Sequence, residues 1–326
     1  MKTTQFFAEA SISDLYASFA DDVAPTSPAW ERVCRRVAAT PELQALLDTL
    51  PGPKRQPNLF LAALRFHGGP QDDEPGLTRW VADHWPALEQ TILSRHTQTN
   101  EVGRCAVLAP VLASVPQPVA LLEVGMSAGL CLFPDLYDYT WLSPGDPRPA
   151  PDGSIVCEVT GDRLPLAVPE VAWRGGIDQN PLDPADPDDA RWLRSLVWPG
   201  ETVREERLAA CLSRVAGHDL VRIAGDATDA LPDLVAQVPA GLTVVVQHSA
   251  VLAYLPEEQR RRHLALLDEL GVHWVTNEGV RVVEPVRRRL PAGFEDDPRS
   301  SFVLALDGEP LARVGQHGAW LEWLGA

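Results

Sequence analysis

The feature that most constrains this chain is the run Leu121-Leu122-Glu123-Val124-Gly125-Met126-Ser127-Ala128-Gly129-Leu130. It reads as an apolar strand that enters a tight turn of small residues and then a helix. Such a turn lets a ligand approach backbone N–H groups at a helix N-terminus. The dinucleotide fingerprint G-x-G-x-x-G needs a glycine where this loop has Leu130, so that reading fails.

After Pro118 short apolar runs alternate with helical periods, the texture of a parallel sheet with crossover helices. Strands are expected at 119–124, 171–177, 220–224, 242–247, 273–276, 301–306 and 312–315. The last two flank Asp307-Gly308, a hairpin signal, so they should be antiparallel. Pro256-Glu257-Glu258 opens a helix with Leu264, Leu267 and Leu270 on one face, and Gly271 closes it. From Phe6 to about Ser114 the chain reads as short helices, as at Thr40-Pro41-Glu42, where a cap, a first-turn proline and an acidic residue coincide. The expectation is an α/β protein in two parts. Residues 1–117 form a helical segment or lid, and 118–326 form the sheet domain, with a Pro- and Gly-rich insertion at about 134–170 and a small hairpin near Ser154 to Thr160. Trp320 and Trp323 read as core at helical spacing.

Composition narrows the function. With 45% hydrophobic and 22% charged residues the chain can bury a large core, and a formal net charge of −17 would repel phosphate backbones. Nucleic acid is not an expected partner. The arginine clusters at Arg260 to Arg262 and Arg287 to Arg289 read as solvated faces. Five cysteines without ligand spacing fit a reducing, cytoplasmic setting and no metal site. Glu9 and Asp14 interrupt the N-terminal apolar stretch, and prolines with Glu123 interrupt 105–133, so neither an export signal nor a membrane span is expected.

Two chemistries remain for the loop. Gly125, Ser127 and Gly129 match the nucleophile elbow G-x-S-x-G, with His67-Gly68-Gly69 like a lipase oxyanion segment and Asp307 and His317 as the later acid and base. Glu123 inside the strand is awkward for a hydrolase. The loop also resembles the acidic-G-x-G-x-G loop of class I S-adenosylmethionine methyltransferases, with Ser127 in place of the middle glycine. Gly176-Ile177-Asp178-Gln179-Asn180-Pro181 looks like that family's second strand end, and Ala224-Gly225-Asp226-Ala227 is similar to its third. The resemblance implies a Rossmann-like, mostly parallel sheet with an antiparallel last strand. It implies binding of S-adenosylmethionine or S-adenosylhomocysteine by Glu123, Gly125, Ser127, Gly129, Asp178, Asp226 and Ala227, with Asp178 on the ribose and Asp226 on the adenine. Either aspartate is equally a cap or turn residue.

The fourth strand and its loop, Val244 through Pro256, hold His248 and Tyr254. His248 or Glu101 is the candidate base for methyl transfer to a small molecule. Arg55, Asn58, Gln98, Asn100, Arg104 and Tyr254 are candidates for substrate contact, although interdomain hydrogen bonding explains the polar string 98–104 as well, packing explains Tyr254, and a scaffold role explains His248. Several strings together resemble one bacterial family, domain of unknown function family 2332, over nearly the whole chain. They include Arg55-Gln56-Pro57-Asn58, Gln98 to Arg104, Asn180-Pro181-Leu182-Asp183, Trp192 to Pro199 and His317 to Leu324. Three functions stay open: a sulfonium-using transferase, a serine hydrolase, and a non-catalytic nucleotide-binding or scaffold protein.

Overall fold

The computed structural model describes residues 10–98, 100–297, 299 and 301–325. Phe6, Glu9 and Thr99 of the sequence reading lie outside them. The protein is α/β, with a largely helical N-terminal part and a ten-stranded, mostly parallel sheet. It divides into two compact units, one of residues 1–99 with 185–209 and one of 100–184 with 210–326.

The helical unit contains Ile12–Val23, Pro28–Ala39, Pro41–Asp48, Pro57–Phe66, Leu77–Ser94 and Pro187–Ser195. Local chemistry marks their starts. Ser11 and Ser27 accept from the backbone N–H three residues on, and prolines occupy the first helical position at Pro28, Pro41, Pro57 and Pro187. The returning segment closes this unit through directed bonds. Trp192 Nε1 donates to His96 O at 3.0 Å, Trp198 Nε1 to Asn58 Oδ1 at 3.0 Å, and Arg65 Nη2 to Glu205 Oε2 at 2.6 Å.

The sheet unit holds β1 (Val119–Val124), β2 (Tyr139–Leu142), β3 (Ile155–Thr160), β4 (Val171–Asp178), β5 (Val221–Ala224), β6 (Thr243–Ser249), β7 (His273–Gly279), β8 (Ser301–Leu306), β9 (Glu309–Gly315) and β10 (Trp320–Trp323). Their spatial order is β2-β3-β10-β9-β8-β7-β6-β1-β4-β5. Parallel pairing joins β5, β4, β1, β6 and β7, and β8 then runs antiparallel to β7 and to β9. Val124, Val246, Trp274, Leu231 and Leu267 share one apolar cluster beneath the helices Ala227–Val235 and Glu257–Leu270. The fully buried helix Cys105–Leu112 packs on β3, β7 and β8. Covering helices explain why β1 is buried at every residue rather than alternating.

Three local expectations change. Ile155–Thr160 is no hairpin arm but pairs in parallel with both β2 and β10. Trp320 and Trp323 lie on a strand, because a four-residue element is too short for spacing to tell a helix from a strand. The glycine loop leads into single 3₁₀ turns, Leu130–Leu132 and Pro134–Leu136, and into no α-helix. Pro134 accounts for this, since the residue before a proline avoids the helical region and the ring cannot continue the ladder. The helix N-terminus expected after Gly129 is therefore absent from these described residues.

Candidate functional site

Chain order 1-4-5 runs outward on one side of β1 while β6 and β7 lie on the other, so the topological switch point falls between β1 and β6. The strand ends flanking it are both strained. Ser127, just past β1, has φ 52°, and Ala250, just past β6, has φ 57°. Non-glycine residues in the left-handed region each cost roughly 1–3 kcal/mol and persist where the surroundings hold them.

The surroundings do so by hydrogen bonding. Gly125 N and Met126 N both donate to Ile177 O, at 2.8 and 3.2 Å, stitching the loop to β4. Asp178 takes Ser127 N on Oδ2 and Asn180 N on Oδ1, each at 2.8 Å. On the other side, Ala250 N donates to Asn277 O at 3.0 Å, and Glu278 Oε1 accepts from Val251 N at 2.8 Å and Leu252 N at 2.9 Å. Segment 100–104 ties the two sides together within the same unit. Asn100 Nδ2 donates to Met126 O at 2.8 Å, while Arg104 Nη1 donates to Ser249 O at 3.1 Å and its Nε to Gln316 O at 3.0 Å.

Gly125, with φ 71°, is required by the chain itself. A Cβ there would stand 2.9 Å from Val251 Cγ1 and closer still to Cγ2. Val251 fills the space that a side chain at 125 would need.

The other candidates divide by role. Asp226 Oδ1 caps the helix Ala227–Val235, accepting from Thr228 N at 2.9 Å and Asp229 N at 3.4 Å. Glu101 is buried, and its Oε1 accepts from Gly103 N at 2.9 Å. Glu123 is buried within β1, and burial pushes its carboxyl well above the usual range, aided by Cys131 and opposed by Arg104. Burial thus favours the uncharged form of this carboxyl inside the strand.

His248 is fully buried on the opposite face, stacked against Trp274 and edge-on to His263, with Nδ1 3.6 Å from Glu278 Oε1. Burial, then the neighbouring His248, lowers His263 to about 3. Tyr254 is 71% exposed. Arg55, Asn58 and Gln98 belong to the helical unit, where Arg55 donates to Leu50 O and Asp48 O and Asn58 accepts from Trp198. His67 bonds Thr91 Oγ1 at 2.8 Å in that same unit.

The hydrolase partners do not assemble. Asp307 sits in the β8–β9 turn, bonded to His273 Nδ1 and Trp274 N at the amino end of β7, whereas Ser127 lies past the carboxyl end of β1. His317 follows β9 at the other edge from Asp307. Sequence reasoning also missed Asn277 and Glu278, because it ended β7 at Thr276. Their signal was the polar continuation of an apolar strand.

A family model described as an uncharacterized protein conserved in bacteria (DUF2332) matches residues 13–323. The chain belongs to this family. No curated protein and no solved structure matches this DUF2332 chain. Among its described residues no helix is long and apolar enough to cross a membrane.

Proposed function

We propose that this DUF2332 protein is an S-adenosylmethionine-dependent transferase, or an enzyme using a related sulfonium, acting on a small molecule over a methyltransferase-type Rossmann sheet. The observation that carries the reading is the strand order β5-β4-β1-β6-β7, a 3-2-1-4-5 arrangement by chain order, with the glycine loop, Asp178 and Asp226 following its first, second and third strands along one edge. The donor set fits a nucleoside at two places. Asp178, at the end of the second strand where the reading places the ribose, accepts Ser127 N on Oδ2 and Asn180 N on Oδ1. Asp226 caps its helix through Oδ1, which leaves Oδ2 for an amino group. The loop itself differs from the family pattern, since Val251 covers Gly125 and a 3₁₀ turn follows.

A bound sulfonium supplies a methyl group open to direct displacement. The protein's task is then to orient the acceptor and, where needed, to take its proton. Glu101 is the candidate base nearest the loop in chain order, whereas His248 is enclosed on the other face. Calorimetric titration and thermal shift with S-adenosylmethionine and S-adenosylhomocysteine test the reading. Binding that weakens in Asp226→Asn, which keeps the cap, supports it, and neither heat nor a thermal shift sinks it.

One observation favours a second reading. Ser127 occupies the strained φ of 52° that a nucleophile elbow uses. Labelling of Ser127 by a fluorophosphonate probe would favour a hydrolase with partners other than Asp307.

A further inference from the structure

The five cysteines are all buried, yet they do not share one environment. Burial pushes Cys34 and Cys157 up to about 12, where a thiol stays protonated and inert. Cys105 and Cys131 stand together instead. Cys105 is the first residue of the helix Cys105–Leu112, and Cys131 lies in the 3₁₀ turn Leu130–Leu132 that leaves the glycine loop. The Cys105 thiol donates to the sulfur of Cys131, and Cys131 Sγ donates to Glu101 O at 3.6 Å. The bond from Cys105, helped by the charge of Arg104, holds the Cys131 thiol below its ordinary value against the opposing effects of burial and Glu101, while burial pushes Cys105 up. Cys211 is a third buried sulfur within electrostatic reach of Cys105.

We propose that Cys105 and Cys131 are a disulfide site closed by hydrogen peroxide, joining the start of the helix Cys105–Leu112 to the exit of the glycine loop. The Cys131 thiolate attacks one oxygen of the peroxide, so that an S–O bond forms, the O–O bond breaks, and the departing hydroxide takes up a proton and leaves as water. The sulfur of Cys105 then attacks Cys131 and its proton passes to the sulfenic oxygen. The S–S bond forms, the S–O bond breaks and a second water leaves, the peroxide having taken both electrons. Cys131 is 5% exposed and Cys105 fully buried, so the site admits only a small, uncharged oxidant, and the neighbouring thiol meets the sulfenic acid ahead of any larger reductant. Asn100, on the segment that leads to Cys105, already holds Met126 O at 2.8 Å, and the disulfide makes a second, covalent tie between that segment and the loop. This chemistry is independent of what the loop binds.

Peptide mapping of the full chain tests the site. The folded protein is treated with hydrogen peroxide, quenched with catalase, blocked with N-ethylmaleimide and mapped by mass spectrometry without reduction, while circular dichroism follows the fold at each dose. Cys105 and Cys131 should be lost together into one cross-link, about tenfold or more faster than Cys34 or Cys157 is oxidised, because the rate follows the thiolate fraction. Dithiothreitol should restore both thiols. Cys105→Ser, which keeps a donor beside Cys131, should stop the reaction at the sulfenic acid, captured on Cys131 by dimedone, and Cys211→Ser should leave the cross-link intact. The proposal is overturned if the pair reacts no faster than Cys34 and Cys157, if Cys131 joins Cys211 instead, or if the cross-link forms only at doses where the fold is already lost.

Discussion

Gly125→Ala isolates what the loop glycine is for. Two costs arise from the structure. An L-residue held at φ 71° pays the left-handed penalty of roughly 1–2 kcal/mol. The added methyl also meets Val251, with Cγ1 at 2.9 Å and Cγ2 nearer, and overpacking of this kind costs about 1–3 kcal/mol. The expected loss is therefore about 2–5 kcal/mol in urea denaturation of the ligand-free protein. Val251→Ala removes both γ-methyls, keeps only its Cβ at 3.2 Å, and leaves the backbone term. In that background Gly125→Ala should cost only about 1–2 kcal/mol, a coupling of about 1–3 kcal/mol between the two sites. A loss below about 1 kcal/mol in the parent, or an equal loss in both backgrounds, would refute the claim that Val251 dictates this glycine.

Asp178→Ala removes the acceptor for Ser127 N and Asn180 N and should destabilise the protein by about 1.5–3 kcal/mol, an effect absent if the loop holds its shape without that carboxylate. Asp226→Ala should cost about 1 kcal/mol as a lost cap and Asp226→Asn much less, so equal losses would remove the capping assignment. His263, lowered to about 3 from 6.5, binds fewer protons folded than unfolded, so its contribution is present above pH 6.5 and is lost as pH falls toward 3. Between pH 7.5 and 5.5 the parent should lose about 1.4 kcal/mol more than His263→Phe, and parallel curves for the two would contradict this. Because neither ring nitrogen of His263 has a partner among the described residues, His263→Phe should be neutral or stabilising at pH 7.5, as read by the same denaturation midpoints.

Much of the sheet was legible because its strands carry their own periodicity. Val119–Val124 and Ser301–Leu306 stand where the apolar runs placed them, and Asp307-Gly308 announced the antiparallel turn. The helix Glu257–Leu270 begins after Pro256 and ends at Gly271 with φ 62°, as its caps indicated. What escaped was set by tertiary partners. Glycine at 125 looked like room for a ligand, yet its neighbour is Val251, more than a hundred positions away, and no local pattern encodes that contact. Asp226 and Asp178 were legible as aspartates after strands, but only geometry reveals that one caps a helix and the other clamps a strained turn. The placing of Glu123 beside Gln247 and of Ser249 beside Asn277 could not be read at all, because it depends on strands from distant parts of the chain entering register.

The discontinuity of the helical unit bears on how the protein is made. Trp192, Trp198 and Glu205 supply bonds to residues before position 100, so that unit lacks part of its interior until the ribosome has passed them. By then β1 and β4 have already been synthesised, and they emerge with apolar faces that wait for β6 to arrive. The helical unit can close only once residues 185–209 have been made, while the sheet unit is still unfinished. A polypeptide stalled near residue 184 would expose two unfinished surfaces together, which makes that stretch of synthesis the one most dependent on chaperone protection.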